Sequence, residues 1–120
     1  FASARSASSV LTAHTVDRGL YASRRIYAAG SGHDMLGLNE TTAEIVALSN
    51  KTHPQVLYVG TATYDEPAAM RDQTGGFASR GCSVMALRVA WQTPPRHELV
   101  AAFNAADIVV ISGGNTEQPP

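Results

Sequence analysis

The chain has 120 residues and a mass of 12.6 kDa, which is the size of one domain. Its 44% hydrophobic and 16% charged residues are typical of a globular protein, and its formal net charge of −1 provides no general attraction to nucleic acid or to an anionic membrane. The single cysteine, Cys82, excludes an internal disulfide framework, and no apolar run approaches the about 18 residues that a membrane-spanning helix needs. We therefore expect an intracellular, cytoplasmic protein with neither nucleic-acid nor membrane partners.

The first 24 residues are predicted to form an arm that precedes the folded domain. They are rich in Arg, Ser and Ala, and Asp17 is their one acidic residue. Two interpretations remain open: a flexible surface arm, or the remains of a segment that directs import into an organelle. Residues 25–120 are predicted to form the α/β domain.

Short apolar runs alternate with longer amphipathic ones from Arg25 onward, a pattern typical of βαβ units around a parallel sheet. Glycine follows three of the four predicted strands within two residues, which suits a sharp turn at a sheet edge. The predicted strands are residues 26–29, 56–59, 84–89 and 107–111.

Three helices are predicted between these strands. The first, residues 41–50, follows from a capping-box pattern in which Thr41 precedes Glu44 by three residues. The second, residues 67–80, contains two adjacent glycines at which we expect a kink or a break. The third, residues 95–105, is expected to point its apolar side chains inward, namely Leu99, Val100 and Phe103.

Right-handed crossovers between such strands predict a three-layer, doubly wound α/β fold with a mostly parallel sheet of about four strands. Ligands bind at the carboxyl ends of the strands in folds of this kind. The loops that follow the strands are therefore the candidates for a functional site.

The first loop, Gly30-Ser31-Gly32, fits either a dinucleotide-binding turn or a plain exit turn from a strand. A dinucleotide motif requires a small residue where this chain has Met35, and it requires a helix that starts earlier than the one predicted here. His33 lies beside an acidic residue in this loop, so it is retained as a substrate contact.

The second loop, Thr61-Ala62-Thr63-Tyr64-Asp65-Glu66, combines hydroxyls, an aromatic ring and two acids. Thr61, Tyr64 and Asp65 are candidate substrate contacts. The acids also fit a structural role, because negative charge is favourable at the start of a helix.

The last loop, Gly113-Gly114-Asn115-Thr116, follows an apolar strand directly. Its glycines leave backbone N–H groups free of side chains, so these groups can face a ligand or a developing oxyanion. The four histidines lie in separate segments, and neither they nor Cys82 has the spacing of a metal site. We expect no cofactor and no metal, and we interpret Cys82 as a buried apolar residue.

The order of three segments resembles the dipeptidase E and cyanophycinase family of serine peptidases over residues 25–116. These segments read PQVLYVGTA (54–62), FASRGCSV (77–84) and ADIVVISGGNT (106–116). The resemblance implies a fold like that of the class I glutamine amidotransferases and a small peptide, including one that contains aspartate, as substrate. It also implies that residues 113–116 help to form the oxyanion site.

The chain departs from the family pattern after Thr116. Family members continue into an apolar helix, whereas this chain reads EQPP, and no G-x-S-x-G sequence occurs in the 120 residues. We therefore expect an N-terminal half whose catalytic serine and histidine lie outside this chain, and catalysis by these residues alone is not expected. The alternative is a non-catalytic binding or assembly module that dimerises through its sheet edge.

Overall fold

The computed structural model describes residues 24–111, and the chain divides into two units after Gly30. Residues 24–29 have no regular secondary structure, so the strand predicted at residues 26–29 is wrong. Two of those four residues are alanine, which has a low preference for strands, and Ile26 is exposed. Residues 1–23 of the predicted arm lie outside the described part of the chain.

The second unit contains an alternating series of helices and parallel strands. Within the described residues, its elements in chain order are α1 (Gly32–Leu36), α2 (Asn39–Leu48), β1 (Gln55–Val59), a 3₁₀ turn (Thr61–Thr63), α3 (Pro67–Ser79), β2 (Ser83–Leu87), α4 (Arg96–Ala105) and β3 (Ile108–Ile111).

The three strands form a parallel sheet in the order β2-β1-β3. Helix α3 connects β1 to β2 on one side of β1, and helix α4 connects β2 to β3 on the other side of β1. Because crossovers between parallel strands are right-handed, these opposite directions put α3 and α4 on opposite faces of the sheet. The α/β doubly wound architecture is confirmed, with three strands where about four were expected.

The main core lies on the α3 face of the sheet. Phe77 of α3 is fully buried against Val56 and Tyr58 of β1 and Ile108 and Val110 of β3. Cys82 belongs to this cluster, which confirms that it is a buried apolar residue. Burial also raises the pKa of its thiol, although the positive charge of Arg80 acts in the opposite direction.

Helix α2 begins two residues before its predicted start. Its N-cap position is Leu38, so Thr41 lies inside the first turn rather than at the cap. Thr41 and Thr42 are both buried, and the Thr42 hydroxyl donates a hydrogen bond to the Leu38 carbonyl. Tertiary packing against α3 therefore outweighs the local capping pattern.

Helix α3 continues without interruption through Gly75 and Gly76, so the helix does not break there. A Cβ atom on Gly76 would lie 2.5 Å from Oγ1 of Thr42, whereas a Cβ atom on Gly75 would meet nothing within 4 Å. Gly76 thus permits the close approach of α2 and α3. This approach explains why a residue that weakens helices occupies the middle of one.

The opposite face of the sheet is only partly covered. Leu57 at its centre is buried, but Met85, Val109 and Ile111 are 55%, 41% and 77% exposed. Helix α4 lies against β1, yet Val100 and Phe103 are exposed, so the prediction that they point inward is wrong. The part of the sheet that the structure describes therefore leaves some of the apolar side of this helix uncovered. Among residues 24–111, no helix is long and apolar enough to cross a bilayer.

Candidate functional site at the carboxyl ends of the strands

The carboxyl ends of the three strands lie side by side. The register aligns Val59 of β1 with Leu87 of β2 and with Ile111 of β3. In a doubly wound sheet with this strand order, the ligand crevice lies between the carboxyl ends of β1 and β3. Ile111 directly precedes the Ser-Gly-Gly-Asn-Thr sequence, and Val59 directly precedes the β1–α3 loop.

The β1–α3 loop folds back on the end of β1. The backbone N–H groups of Thr63 and Asp65 both donate hydrogen bonds to the Gly60 carbonyl, at 2.9 and 3.0 Å. Tyr64 and Asp65 then adopt left-handed backbone conformations with φ values of 54° and 56°. Two consecutive non-glycine residues of this kind are strained, at about 1–3 kcal/mol each, so their surroundings must hold them in place.

A buried polar network supports this loop from below. The Tyr58 hydroxyl, on a side chain that is 1% exposed, donates a hydrogen bond to Oε1 of Gln73 in α3 at 3.2 Å. It also lies 3.4 Å from the Thr63 hydroxyl, which donates to the Gly60 carbonyl at 3.0 Å. Since buried polar groups are costly without partners, this network fixes the loop relative to β1 and α3.

A second set of contacts joins this loop to the β2–α4 loop. The Oδ2 atom of Asp65 accepts a hydrogen bond from the backbone N–H of Ala90 at 2.7 Å. Nε1 of Trp91 donates to the Tyr64 carbonyl at 3.1 Å, and the Tyr64 and Trp91 ring centroids are 5.9 Å apart with a tilt of 33°. We call these four residues, Tyr64, Asp65, Ala90 and Trp91, the loop clasp.

The structure brings some of the predicted site residues together. Tyr64 and Asp65 lie half-buried in the loop clasp, and Thr61 is exposed at the start of the same loop. His33 is exposed on α1, and within residues 24–111 it makes no hydrogen bond or ring contact to Thr61, Tyr64 or Asp65. Gly113, Gly114, Asn115 and Thr116 lie outside the described residues, so the oxyanion role remains a prediction.

Sequence reasoning missed three residues that shape this edge. Trp91 had an available signal, since it is the single tryptophan of the sequence and it follows a predicted strand. No sequence signal indicated the hydrogen bond between Tyr58 and Gln73. These residues are fifteen positions apart, and they meet only because α3 packs on β1.

The first loop is a turn around Ser31. Ser31 has a φ of 54°, and its hydroxyl donates a hydrogen bond to Oδ2 of Asp34 at 2.6 Å. Helix α1 begins at Gly32, where the sequence predicted no helix, but it has only five residues. Met35 is buried where a dinucleotide motif would need a small residue. Across residues 24–111, no three His, Cys, Asp or Glu side chains are grouped closely enough to bind one metal ion.

Comparison with known proteins identifies one related group. The family model described as Peptidase family S51 matches residues 26–118, which is more than half of the chain. This match spans the whole sheet, the loop clasp and the Gly-Gly-Asn-Thr sequence. No significant match was found among the curated proteins or among the solved structures.

Proposed function

Since the chain belongs to peptidase family S51, we propose that it supplies the substrate-binding and oxyanion-binding part of a serine-type peptidase that acts on small peptides. Peptides that contain aspartate are the proposed substrates. The catalytic serine and its histidine partner come from sequence outside these 120 residues, since no G-x-S-x-G occurs here.

The observation that supports this proposal best is the alignment of β1 with β3. It brings the start of the β1–α3 loop and the residue before Ser112 to one edge of the sheet, beside the crevice expected for this strand order. Two separate candidate segments, residues 61–66 and 113–116, follow these two aligned strand ends closely in the sequence.

Residues 61–66 and residues 113–116 have different roles in the proposed reaction. Attack by a serine on a peptide carbonyl develops negative charge on the carbonyl oxygen, and the backbone N–H groups of residues 113–116 would stabilise that charge. The β1–α3 loop would bind and orient the peptide, because Thr61 offers an exposed hydroxyl at the crevice and Tyr64 an aromatic ring.

Hydrolysis by the complete natural gene product tests this function. We expect release of free amino acids from Asp-X dipeptides, measured by an amine-specific assay over a panel that also includes non-aspartyl peptides and acyl esters. A folded, intact gene product that turns over none of these substrates would rule the proposal out.

A glycine substitution tests the oxyanion role within that enzyme. In the proposed oxyanion site, a methyl group at Gly114→Ala would displace the reacting carbonyl from a backbone N–H donor. We therefore expect kcat to fall by about 10²–10³, the usual effect of losing one oxyanion donor, while KM changes little. The matched control is Gly75→Ala on α3, where the new methyl group meets no atom within 4 Å. Equal kcat values for the two variants would contradict the oxyanion role.

One observation favours a second candidate, a non-catalytic assembly module. The partly covered sheet face exposes Met85, Val109 and Ile111, and β2 and β3 form the two edges of the described sheet. A homodimer that buries this surface would show twice the monomer mass by light scattering. A monomer at high micromolar concentration would count against this candidate.

A further inference from the structure

Trp91 is the most exposed aromatic residue of the carboxyl edge, and it is also held in place. Its side chain is 70% exposed, although its indole N–H is bonded to the Tyr64 carbonyl and its ring lies near the Tyr64 ring. Core packing does not account for this position, because so little of the indole is buried. An aromatic surface that is held in place and exposed at the carboxyl edge of the sheet, where ligands bind in doubly wound folds, is the kind of feature that binds an apolar ligand group.

Asp65 helps to hold the aromatic surface of Trp91 and Tyr64 in place. Its carboxylate binds the N–H of Ala90, the residue directly before Trp91, at 2.7 Å. Its own backbone is held in a left-handed conformation by the bond from its N–H to the Gly60 carbonyl. Strained backbone of this kind is concentrated at functional sites, and here the strained residue is the one that fixes the neighbouring loop.

We propose that Trp91 and Tyr64 form an aromatic wall at the carboxyl edge of the sheet, on the β2 side of the substrate crevice, that selects peptides with an aromatic or large apolar side chain, and that Asp65 is a positioning residue for this wall. The proposal rests on the peptidase function above and extends it to side-chain specificity. It revises the role of Asp65, whose carboxylate acts on the Ala90 N–H and not on the peptide. Thr61 remains the proposed polar contact between the β1–α3 loop and the peptide.

Peptide selectivity in the complete gene product provides the first test. Trp91→Ala should lower kcat/KM for Asp-Phe by about tenfold, which corresponds to the free energy of one aromatic contact. Its kcat/KM for Asp-Gly should stay within about twofold of the wild-type value. Trp91→Phe keeps a ring in the wall and should retain most of the preference for Asp-Phe.

The Asp65 variants separate positioning from a general structural role. Asp65→Ala should reproduce the loss of selectivity, mainly through a higher KM for Asp-Phe, because the β2–α4 loop is released. Asp65→Asn keeps an oxygen that can accept the Ala90 N–H and should restore selectivity. Asp72→Ala, at an exposed position on α3, is the matched control and should leave both peptides unaffected.

A fluorescence titration tests the wall without requiring catalysis or a variant. Trp91 is the single tryptophan of the 120-residue chain, so its emission reports this site alone. Asp-Phe should change the emission saturably, with a dissociation constant about tenfold lower than that of Asp-Gly. No change with Asp-Phe, or equal effects of the two peptides, would overturn the proposal.

The two proposals fail in different ways. If the wild-type enzyme hydrolyses no peptide at all, the peptidase function fails. If it hydrolyses peptides and Trp91→Ala lowers kcat/KM for Asp-Phe and Asp-Gly equally, only the aromatic wall is refuted.

Discussion

Asp107 connects the start of β3 to the start of β1 through three polar contacts. Its carboxylate accepts hydrogen bonds from the Gln55 backbone N–H at 2.8 Å and from the Lys51 ammonium group at 2.5 Å, and its own N–H donates to the Gln55 carbonyl at 2.9 Å. The hydrogen bond from Gln55, followed by the hydrogen bond from Lys51, lowers the pKa of Asp107 below its ordinary value of 3.8. Burial acts in the opposite direction, and the positive charge of Lys51 adds a smaller lowering.

This lowered pKa predicts acid-sensitive stability. Because the folded state favours the ionised carboxylate, the contribution of Asp107 is fully present above pH 3.8 and is lost as the pH falls from that value through the lower folded-state pKa. Urea unfolding at neutral pH should show a loss of about 1 kcal/mol for Asp107→Asn, and this difference from wild type should shrink in acid.

The Lys51→Ala variant shows which partner matters more. The ion pair is exposed at Lys51, so its removal should cost only about 0–1 kcal/mol and should leave most of the acid sensitivity in place. If the difference in the free energy of unfolding between wild type and Asp107→Asn is the same at every pH, the role of the Asp107 carboxylate in acid sensitivity is refuted.

At the scale of elements, the contact between α2 and α3 shows how packing overrides local preference. The capping pattern of α2 and the glycine pair of α3 both suggested other boundaries, yet α2 begins earlier and α3 is continuous. The two helices approach closely here, since the buried Thr42 of α2 occupies the space left by the absent side chain of Gly76. Propensity differences of about 1 kcal/mol are small compared with the packing of two helices.

Alanine substitutions at the two adjacent glycines should therefore have opposite effects. Gly75→Ala should stabilise the chain by about 0.5–1 kcal/mol, because alanine favours the helix and its methyl group meets no atom within 4 Å. Gly76→Ala should destabilise it by about 1–2 kcal/mol, because the methyl group would lie 2.5 Å from the Thr42 hydroxyl oxygen. Urea unfolding of the two variants measures both free energies.

A double variant checks the cause. Thr42→Ala removes the Oγ1 and Cγ2 atoms that the new methyl group would meet, so combining it with Gly76→Ala should cost less than the sum of the single changes. Additive costs would show that the contact with Thr42 is not responsible.

At the scale of the whole molecule, the two faces of the sheet differ in how fully they are covered. The α3 face carries the main cluster, in which Val110 is 7% exposed, while Val109 on the opposite face is 41% exposed. These residues are neighbours in β3, so they differ in the face that they occupy rather than in local structure.

Threonine substitutions at these two positions measure the difference between the faces. Valine and threonine have similar shapes, but burying a hydroxyl without a partner costs about 1–3 kcal/mol. Val110→Thr should therefore lower the free energy of unfolding by that amount, whereas Val109→Thr should change it by less than about 0.5 kcal/mol. Similar losses for the two variants would mean that the second face is also covered in solution.

Much of the architecture and part of the site follow from sequence patterns alone. Apolar runs that alternate with amphipathic segments determined the α/β class and the approximate positions of β1, β2 and β3, because this alternation is typical of βαβ units. The same reading identified the β1–α3 loop as a site candidate, and the resemblance at residues 54–62 and 106–116 identified the family that the chain belongs to.

The tertiary structure alone decided which loops contact each other and which faces are covered. The clasp between Asp65 and Ala90 joins residues 25 apart in sequence, and the bond between Tyr58 and Gln73 depends on how α3 lies on β1. Phe103 on α4 is exposed within the described residues, although the pattern of its helix predicted an inward position. Periodicity within an element shows that it is amphipathic, but the partner that its apolar side meets depends on long-range packing that no local pattern contains.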